Sequence, residues 1–216
     1  MDKIENYFDG FEIALTQIDR IRIEEIFNQA KELFKPIQIV NVLITPTLQK
    51  IGEKWEDGSV GLAQIYMAGK ICEDLIDKLI SFKKIRIKDH PKMGIVVLED
   101  YHNLGKKTIQ MYLQNSGYDI IDYGAGITSE DLLRYVKRDN IELLFISTLM
   151  LRSALRIRDF IDKKNEAELN TKIIVGGAPF NFDTELWKVV GADAYGRNPS
   201  DVLHLLSEFI RGELNE

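Results

Sequence analysis

The hydrophobic period of this chain changes once, and the change falls at a basic stretch closed by proline, Lys83-Lys84-Ile85-Arg86-Ile87-Lys88-Asp89-His90-Pro91. Before it, apolar residues recur every three or four positions, the spacing of one face of a helix. One stripe is Ile21, Ile23, Ile26, Phe27, Ala30 and Phe34; a second is Ile37, Val40, Ile44, Leu48, Ile51 and Trp55; a third runs from Leu62 through Ile65, Tyr66, Gly69, Cys72, Leu75 and Ile76 to Leu79. Pro46 interrupts the second stripe and predicts a kink or a break, because a proline removes a helical N–H and crowds the preceding turn. Asp57-Gly58-Ser59 is a turn signal. The front of the chain is therefore expected to form four helices before residue 83.

After the basic stretch the pattern becomes short apolar runs, 93–98, 119–124, 143–148, 172–177 and 192–196, separated by helical candidates at 104–116, 129–139, 152–165, 183–190 and 199–212. Continuous apolar runs of this length suit strands buried on both faces, and strand–helix alternation suits parallel pairing. The expected fold class is α/β: a four-helix domain over 1–88, a solvated linker, and a doubly wound, five-stranded parallel domain over 92–216, Rossmann-like or flavodoxin-like.

Charge narrows the function. With 28 Lys and Arg against 34 Asp and Glu, the formal charge is −6, and the electrostatic footprint of a nucleic-acid binder is missing. No run approaches the roughly 18 apolar residues of a membrane helix, and the acidic first 20 residues do not read as a signal peptide. The lone cysteine, Cys72, forms no intrachain disulfide and suits a reducing compartment, so the cytoplasm is the expected location. Nothing in the residues signals an oligomeric state.

Doubly wound sheets bind ligands at the carboxyl ends of their strands. The first strand runs into Glu99-Asp100-Tyr101-His102-Asn103-Leu104-Gly105, which puts a carboxylate two residues before an imidazole. A carboxylate on one ring nitrogen fixes the tautomer and raises the basicity of the other, as a metal-bound histidine requires. Gly105 lets a bulky group approach the backbone. The third strand ends in Ser147-Thr148-Leu149 and the fourth in Gly176-Gly177-Ala178, where missing side chains leave room for a groove. Other features read as structural. Gly124-Ala125-Gly126 lacks the third glycine of a dinucleotide loop, and His204 sits four residues before Glu208 on a helix surface. His90 lies in the linker, Cys72 falls on an apolar stripe, and Glu53, Glu56 and Asp57 flank a turn.

Taken together, Asp-x-His-x-x-Gly, then 41 residues, Ser-x-Leu, then 26 residues, Gly-Gly, resemble the cobalamin-binding domain of corrinoid proteins and methionine synthase. Gly191-Ala192-Asp193-Ala194-Tyr195-Gly196 looks like the last-strand segment of that family. Ile51-Gly52-Glu53-Lys54-Trp55-Glu56-Asp57-Gly58 and Leu62-Ala63-Gln64 resemble the helical cap that accompanies it. The resemblance implies cobalamin, as methylcobalamin or another corrinoid, bound base-off and His-on. His102 would be the protein ligand to cobalt, hydrogen-bonded to Asp100, with Ser147 extending the relay. Tyr101, Asn103 and Leu104 would border the cofactor. Its nucleotide tail would lie along Gly105, Leu149, Gly176, Gly177 and Ala178, with Tyr195 and Gly196 near its end, and Trp55 would cover the upper corrin face. The implied function is methyl transfer between a substrate methyltransferase and an acceptor methyltransferase. A substrate-binding barrel takes roughly 250 residues, so both sites, and a reductive activator, are expected on other polypeptides. A cobalamin-dependent sensor is the alternative, as is an interaction module without cofactor. Glu99, Tyr101, Asn103 and Leu151 stand where the family commonly carries glycine, a small aliphatic residue, aspartate and threonine. Ile65-Tyr66 after Ala63-Gln64 replace the Glu-His of light-sensing relatives.

Overall fold

A computed structural model describes residues 2–80 and 86–214, and the chain divides into two units, Met1–Ile80 and Ser81–Glu216. Lys83, Lys84 and Ile85 of the expected linker fall outside the described residues.

The first unit is helical: α1 (Asp2–Gln17), α2 (Arg20–Leu33), α3 (Pro36–Ile39), a π-helical turn (Val40–Ile44), α4 (Thr45–Glu56) and α5 (Leu62–Asp77). The stripes become its core, with Ile23, Ile26, Phe27, Ile39, Ile44, Ile51, Leu75 and Ile76 almost fully buried beside Phe11 and Leu15 of α1. Of the kink or break expected at Pro46, the break does not occur. The wider π turn, closed by Thr45 N–H donating to the Val40 carbonyl, carries the helix past proline, the residue that cannot donate into the next turn. Four rods result because α1, which no apolar stripe announced, takes the fourth place. Gln64 ties α5 to α1 by donating to the Thr16 carbonyl (2.8 Å) and accepting from Gly61 N–H (2.9 Å). The Cys72 thiol is buried, and burial pushes its pKa up, so it is an inert core group. Asp57 accepts from Ser59 N–H in the expected turn.

Glu12 of α1 is buried, with Lys54 Nζ at 2.5 Å and Lys50 Nζ at 2.9 Å, both from α4. Burial pushes its carboxyl up, but the two lysines outweigh burial and hold it below the ordinary carboxylate range.

The second unit carries β1 (Met93–Leu98), α6 (Leu104–Asn115), β2 (Ile121–Ile127), α7 (Ser129–Asp139), β3 (Leu143–Ser147), α8 (Leu151–Glu166), β4 (Lys172–Gly176), α9 (Ala178–Phe182), α10 (Leu186–Val190), β5 (Ala194–Gly196), a 3-10 turn (Pro199–Asp201) and α11 (Val202–Arg211). All strand pairs are parallel, in the order β2-β1-β3-β4-β5. β1 and β3 are buried along their whole length, as their apolar runs required. Val96, Leu98, Leu144, Ile146, Ile173 and Val175 pack with α7, α8, α9 and α10 in one core, while α6 and α11 cover the other face. Several boundaries shift from expectation, and β5 begins at Ala194 rather than 192. β2 starts at Ile121 rather than 119 and extends to Ile127, the helix expected at 183–190 is replaced by α9 and α10, and α11 begins with a 3-10 turn.

The described part of the linker is exposed from Arg86 to Asp89 and is at the same time tied to neighbouring residues. Arg86 pairs with Asp119, and Ile87 N–H donates to the Gly117 carbonyl (2.9 Å). His90 accepts from Asp119 N–H at Nε2 (3.3 Å), faces the Pro91 carbonyl with Nδ1 (2.8 Å) and meets Tyr118 edge-on. Among the described residues no helix is long and apolar enough to cross a membrane.

Two outcomes test these contacts. The Glu12 carboxyl stabilises the α1–α4 contact above its unfolded pKa of about 4.3, and the contribution is lost as pH falls through the lower folded value. Amide protection factors in α1 and α4, corrected for the intrinsic exchange rate at each pH, should therefore fall on acidification, and less so in Glu12→Gln. Glu168 follows α8 in the left-handed region (φ 54°) within a Schellman cap, its N–H donating to Asn165 and that of Leu169 to Lys164. Glu168→Gly should raise stability by about 0.5–1 kcal/mol, read from the urea midpoint.

Candidate functional site

The strand order reverses between β1 and β3, the switch point at which open parallel sheets bind ligands at their carboxyl edge. Parallel register aligns the end of the sheet: Val97 lies opposite Ser147, Ser147 opposite Gly176, and Gly176 opposite Gly196. Residues far apart in sequence thus form one row at the ligand edge.

After β1 the chain turns sharply at Glu99, whose φ of 46° is unusual for a residue with a side chain. Its N–H donates to the Ile127 carbonyl (3.1 Å), and its own carbonyl accepts the Ser153 hydroxyl (2.9 Å). Its carboxylate lies 3.7 Å from the Arg156 guanidinium. The turn drives Asp100 inward, where it is 4% exposed. One carboxylate oxygen, Oδ1, accepts from Tyr101 N–H (2.7 Å) and His102 N–H (3.2 Å) and faces His102 Nδ1 at 2.6 Å. The other, Oδ2, accepts from Leu149 N–H (2.8 Å) and Met150 N–H (3.1 Å). Burial alone would raise this carboxyl, but the His102 ring and the backbone donors overcome it and bring the pKa down to about 2. Against a permanent carboxylate, Nδ1 is the protonated ring nitrogen. Nε2 keeps its lone pair, and among the described residues nothing hydrogen-bonds it. The imidazole is 41% exposed, so that nitrogen is available to an incoming electrophile or metal.

Ser147 does not touch this carboxylate. A Cβ built on Gly105 would lie 2.8 Å from Ser147 Oγ, so glycine is what lets α6 start against β3. The outer support for Asp100 comes from the Leu149 and Met150 backbone, which sequence reasoning did not assign and which leaves no residue-type signal. Gly177 lies in a backbone conformation that side chains rarely adopt (φ 122°), and a Cβ there would fall 1.7 Å from the Thr148 carbonyl oxygen. Next to it the Thr148 hydroxyl is buried with no hydrogen-bond partner among the described residues. Ala178 opens α9. Tyr195 stacks on Trp187 (centroids 6.0 Å apart) and accepts a hydrogen bond from Arg197 at its hydroxyl (3.2 Å).

Large apolar side chains ring this edge while remaining open to solvent: Tyr101 is 72% exposed and Phe182 91%, with Leu149, Met150 and Leu151 about half exposed. Leu104 and Asn103 stand at the start of α6. Trp55, at the end of α4, belongs to the first unit, where it too is half exposed. Gly124 and Gly126, weighed in the sequence as a dinucleotide loop, lie inside β2 as left-handed residues of a bulged edge strand. His204 pairs with Glu208 on the surface of α11 (3.1 Å).

The comparisons agree with this geometry. A family model described as B12 binding domain matches residues 92–203, and a second B12 binding domain model matches residues 7–80. The chain is 25% identical over 207 residues to dimethylamine corrinoid protein 2 of Methanosarcina acetivorans, covering 93% of this chain and 94% of the relative. It is 28% identical over 175 residues to monomethylamine corrinoid protein 1 of the same organism, covering 77% and 79%. The solved monomethylamine corrinoid protein of Methanosarcina barkeri shares the fold at a TM-score of 0.80 and 24% identity, covering 95% of this chain and 99% of that one. A methanol:cobalamin methyltransferase complex, MtaBC, from Methanosarcina barkeri matches at 0.53 and 19%, covering 97% and 83%. One family model spans more than half of the chain and the other most of its helical front, so the chain belongs to the B12-binding domain family, with cobalamin as its cofactor.

Proposed function

We propose that this chain is a methyl-carrying corrinoid protein that holds cobalamin base-off and His-on and passes a methyl group between two separate methyltransferases. The observation that carries the reading is the Asp100–His102 pair at the switch point, with Nδ1 held by a buried carboxylate and Nε2 unpartnered. The residues present also suit a bulky cofactor with a tail. Gly105 and Gly177 let the backbone pack where a Cβ would collide with Ser147 and Thr148, and the buried Thr148 hydroxyl lacks a partner among the described residues.

On this reading His102 Nε2 is the protein ligand to cobalt. Asp100 keeps the imidazole in the required tautomer and balances any positive charge that the ring gains. Ser147 borders the same loop. Gly105, Leu149, Gly176, Gly177, Ala178, Tyr195 and Gly196 line the path of the nucleotide tail, while Tyr101, Asn103 and Leu104 border the ring. Trp55 of the helical unit would be the residue that, by the resemblance, covers the cofactor. When bound, cobalamin supplies a cobalt centre that can accept and release a methyl group. The protein's part is to fix the lower ligand, hold a proton between Nδ1 and Asp100, and exclude water.

The similarity to proteins named for dimethylamine and monomethylamine supports a methylated amine as the ultimate donor. The similarity to a chain of a methanol:cobalamin methyltransferase complex supports a methyltransferase as docking partner. A reductive activator completes the proposed set, since a cobalt centre that loses its reduced state must be restored before it can accept another methyl group.

His102→Ala should retain cobalamin through its tail but lose the nitrogen hyperfine splitting that a protein imidazole imparts to the EPR spectrum of bound cob(II)alamin. Unchanged splitting would exclude His102 as the ligand. Gly177→Ala should cost more than about 2 kcal/mol in stability, from backbone strain added to the collision with Thr148, and weaken cobalamin binding at least tenfold. Gly124→Ala, with open space around its Cβ, should cost about 1 kcal/mol, and equal costs for the two would show that the Thr148 contact is soft.

A further inference from the structure

β2 is an edge strand that carries two more residues than its partner needs. Ile95 lies opposite Asp122, Val97 opposite Ala125 and Leu98 opposite Ile127, so one extra residue is accommodated on each side of Ala125. Gly124 (φ 89°) and Gly126 (φ 71°) absorb them in the left-handed region. Bulges of this kind bend a strand and re-aim what packs on it.

Both bulges are occupied by residues that flank His102 in sequence. On the upstream side, Gly126 N–H donates to the Asp100 carbonyl (2.7 Å), and the Tyr101 ring lies against Gly126. A Cβ on Gly126 would fall 2.4 Å from one ring carbon and 2.8 Å from the phenol oxygen, so the seat exists only because the residue is glycine. On the downstream side, Lys106 in the first turn of α6 donates from Nζ to Asp122 Oδ1 (2.7 Å), and the same oxygen accepts Gly124 N–H (2.8 Å). The Lys106 side chain is 5% exposed, a burial that a lysine tolerates only when paired. The loop bearing His102 is thus fastened to β2 two residues before the imidazole and four residues after it.

We infer that the paired glycine bulges of β2 position the His102 imidazole, with Lys106 and Asp122 as positioning residues and Gly126 as the seat that keeps the Tyr101 ring clear of the loop. The inference rests on the reading of His102 as the cobalt ligand. Asp100 sets the rotation and tautomer of the ring, whereas β2 sets where the loop stands relative to the sheet edge. A ligand bond is sensitive to displacements smaller than those that unfold a loop, so ligation should fail before folding does.

The test uses the full chain loaded with cob(II)alamin, with the histidine-coordinated fraction read from nitrogen hyperfine splitting and stability read in parallel by thermal melting. Gly126→Ala should lower the histidine-coordinated fraction at least fivefold, because the Tyr101 ring has to leave its seat. Gly126→Ala combined with Tyr101→Ala should recover most of that loss, since the collision is then gone and only the backbone strain remains. Lys106→Met, which keeps the stem but removes the tie to Asp122, should lower the fraction at least twofold without creating a cavity, and it serves as the test should Gly126→Ala not fold. Full coordination in Lys106→Met and in folded Gly126→Ala, with only the melting temperature reduced, would make the β2 contacts structural and overturn the inference. Wild-type protein without nitrogen splitting would instead overturn the axial-ligand reading, and the positioning role with it.

Discussion

A single buried carboxylate organises the ligand edge of the second unit. Asp100 accepts from five N–H groups drawn from two loops, three on its own loop after β1 and two on the loop after β3. Hydrogen bonds to an ionised acceptor are roughly twice as strong as neutral ones, and a carboxylate buried without them would be protonated instead. The loops on the two sides of the switch point are therefore one electrostatic unit. Loss of the charge would release the imidazole and the start of α8 together. The same carboxylate gives His102 its chemical direction, because a permanent acceptor at Nδ1 leaves only Nε2 with a lone pair.

Legibility in the sequence follows the physical origin of each feature. β1, β3 and β4 agree with their apolar runs to within a residue or so, because strands buried on both faces must be apolar throughout. β2 was displaced because its burden is different: its first residues are exposed, its edge is open, and Gly124 and Gly126 disrupt any alternation. Two glycines spaced one apart inside a strand are a bulge signal, and they stood in the sequence without being read as one. Asp100-x-His102 was legible because the interaction is local. The Leu149 and Met150 donors were not, because backbone N–H groups are the same in every residue and only the fold decides which of them converge. Pro46 is the opposite case: a local rule predicts a kink or a break, and a π turn keeps the helix continuous at the cost of one wider turn.

Sheet order explains how dispersed residues come to share a site. With β1 and β3 adjacent and β4 and β5 continuing outward, parallel register stacks Ser147, Gly176 and Gly196 at one level. Two of those three positions have no side chain, and Tyr101, Leu149 and Phe182 near the same edge are solvent-exposed. An edge poor in side-chain donors beside an exposed apolar rim suits a large, flat, partly apolar ligand better than a small polar substrate, which would need convergent side-chain donors. Membership of the B12-binding family agrees with that character.

The departures from the family pattern then acquire a physical meaning. Glu99 keeps a left-handed turn that glycine would adopt without strain, and it does so under the hold of the Ser153 hydroxyl on its carbonyl and the Ile127 carbonyl on its N–H. Tyr101 is larger than the aliphatic residue common at its position, and Gly126 makes room for its ring. Leu151 projects into solvent at the start of α8, where a threonine would add a hydroxyl to the rim. None of the three side chains supplies a group that holds Asp100, whose partners are backbone N–H groups and the His102 ring. Side chains around the site are free to differ because the site is fixed by backbone conformation, at Glu99, Gly126 and Gly177, and by one carboxylate. Substitutions at the rim would change what meets the cofactor while leaving in place the backbone groups that hold Asp100.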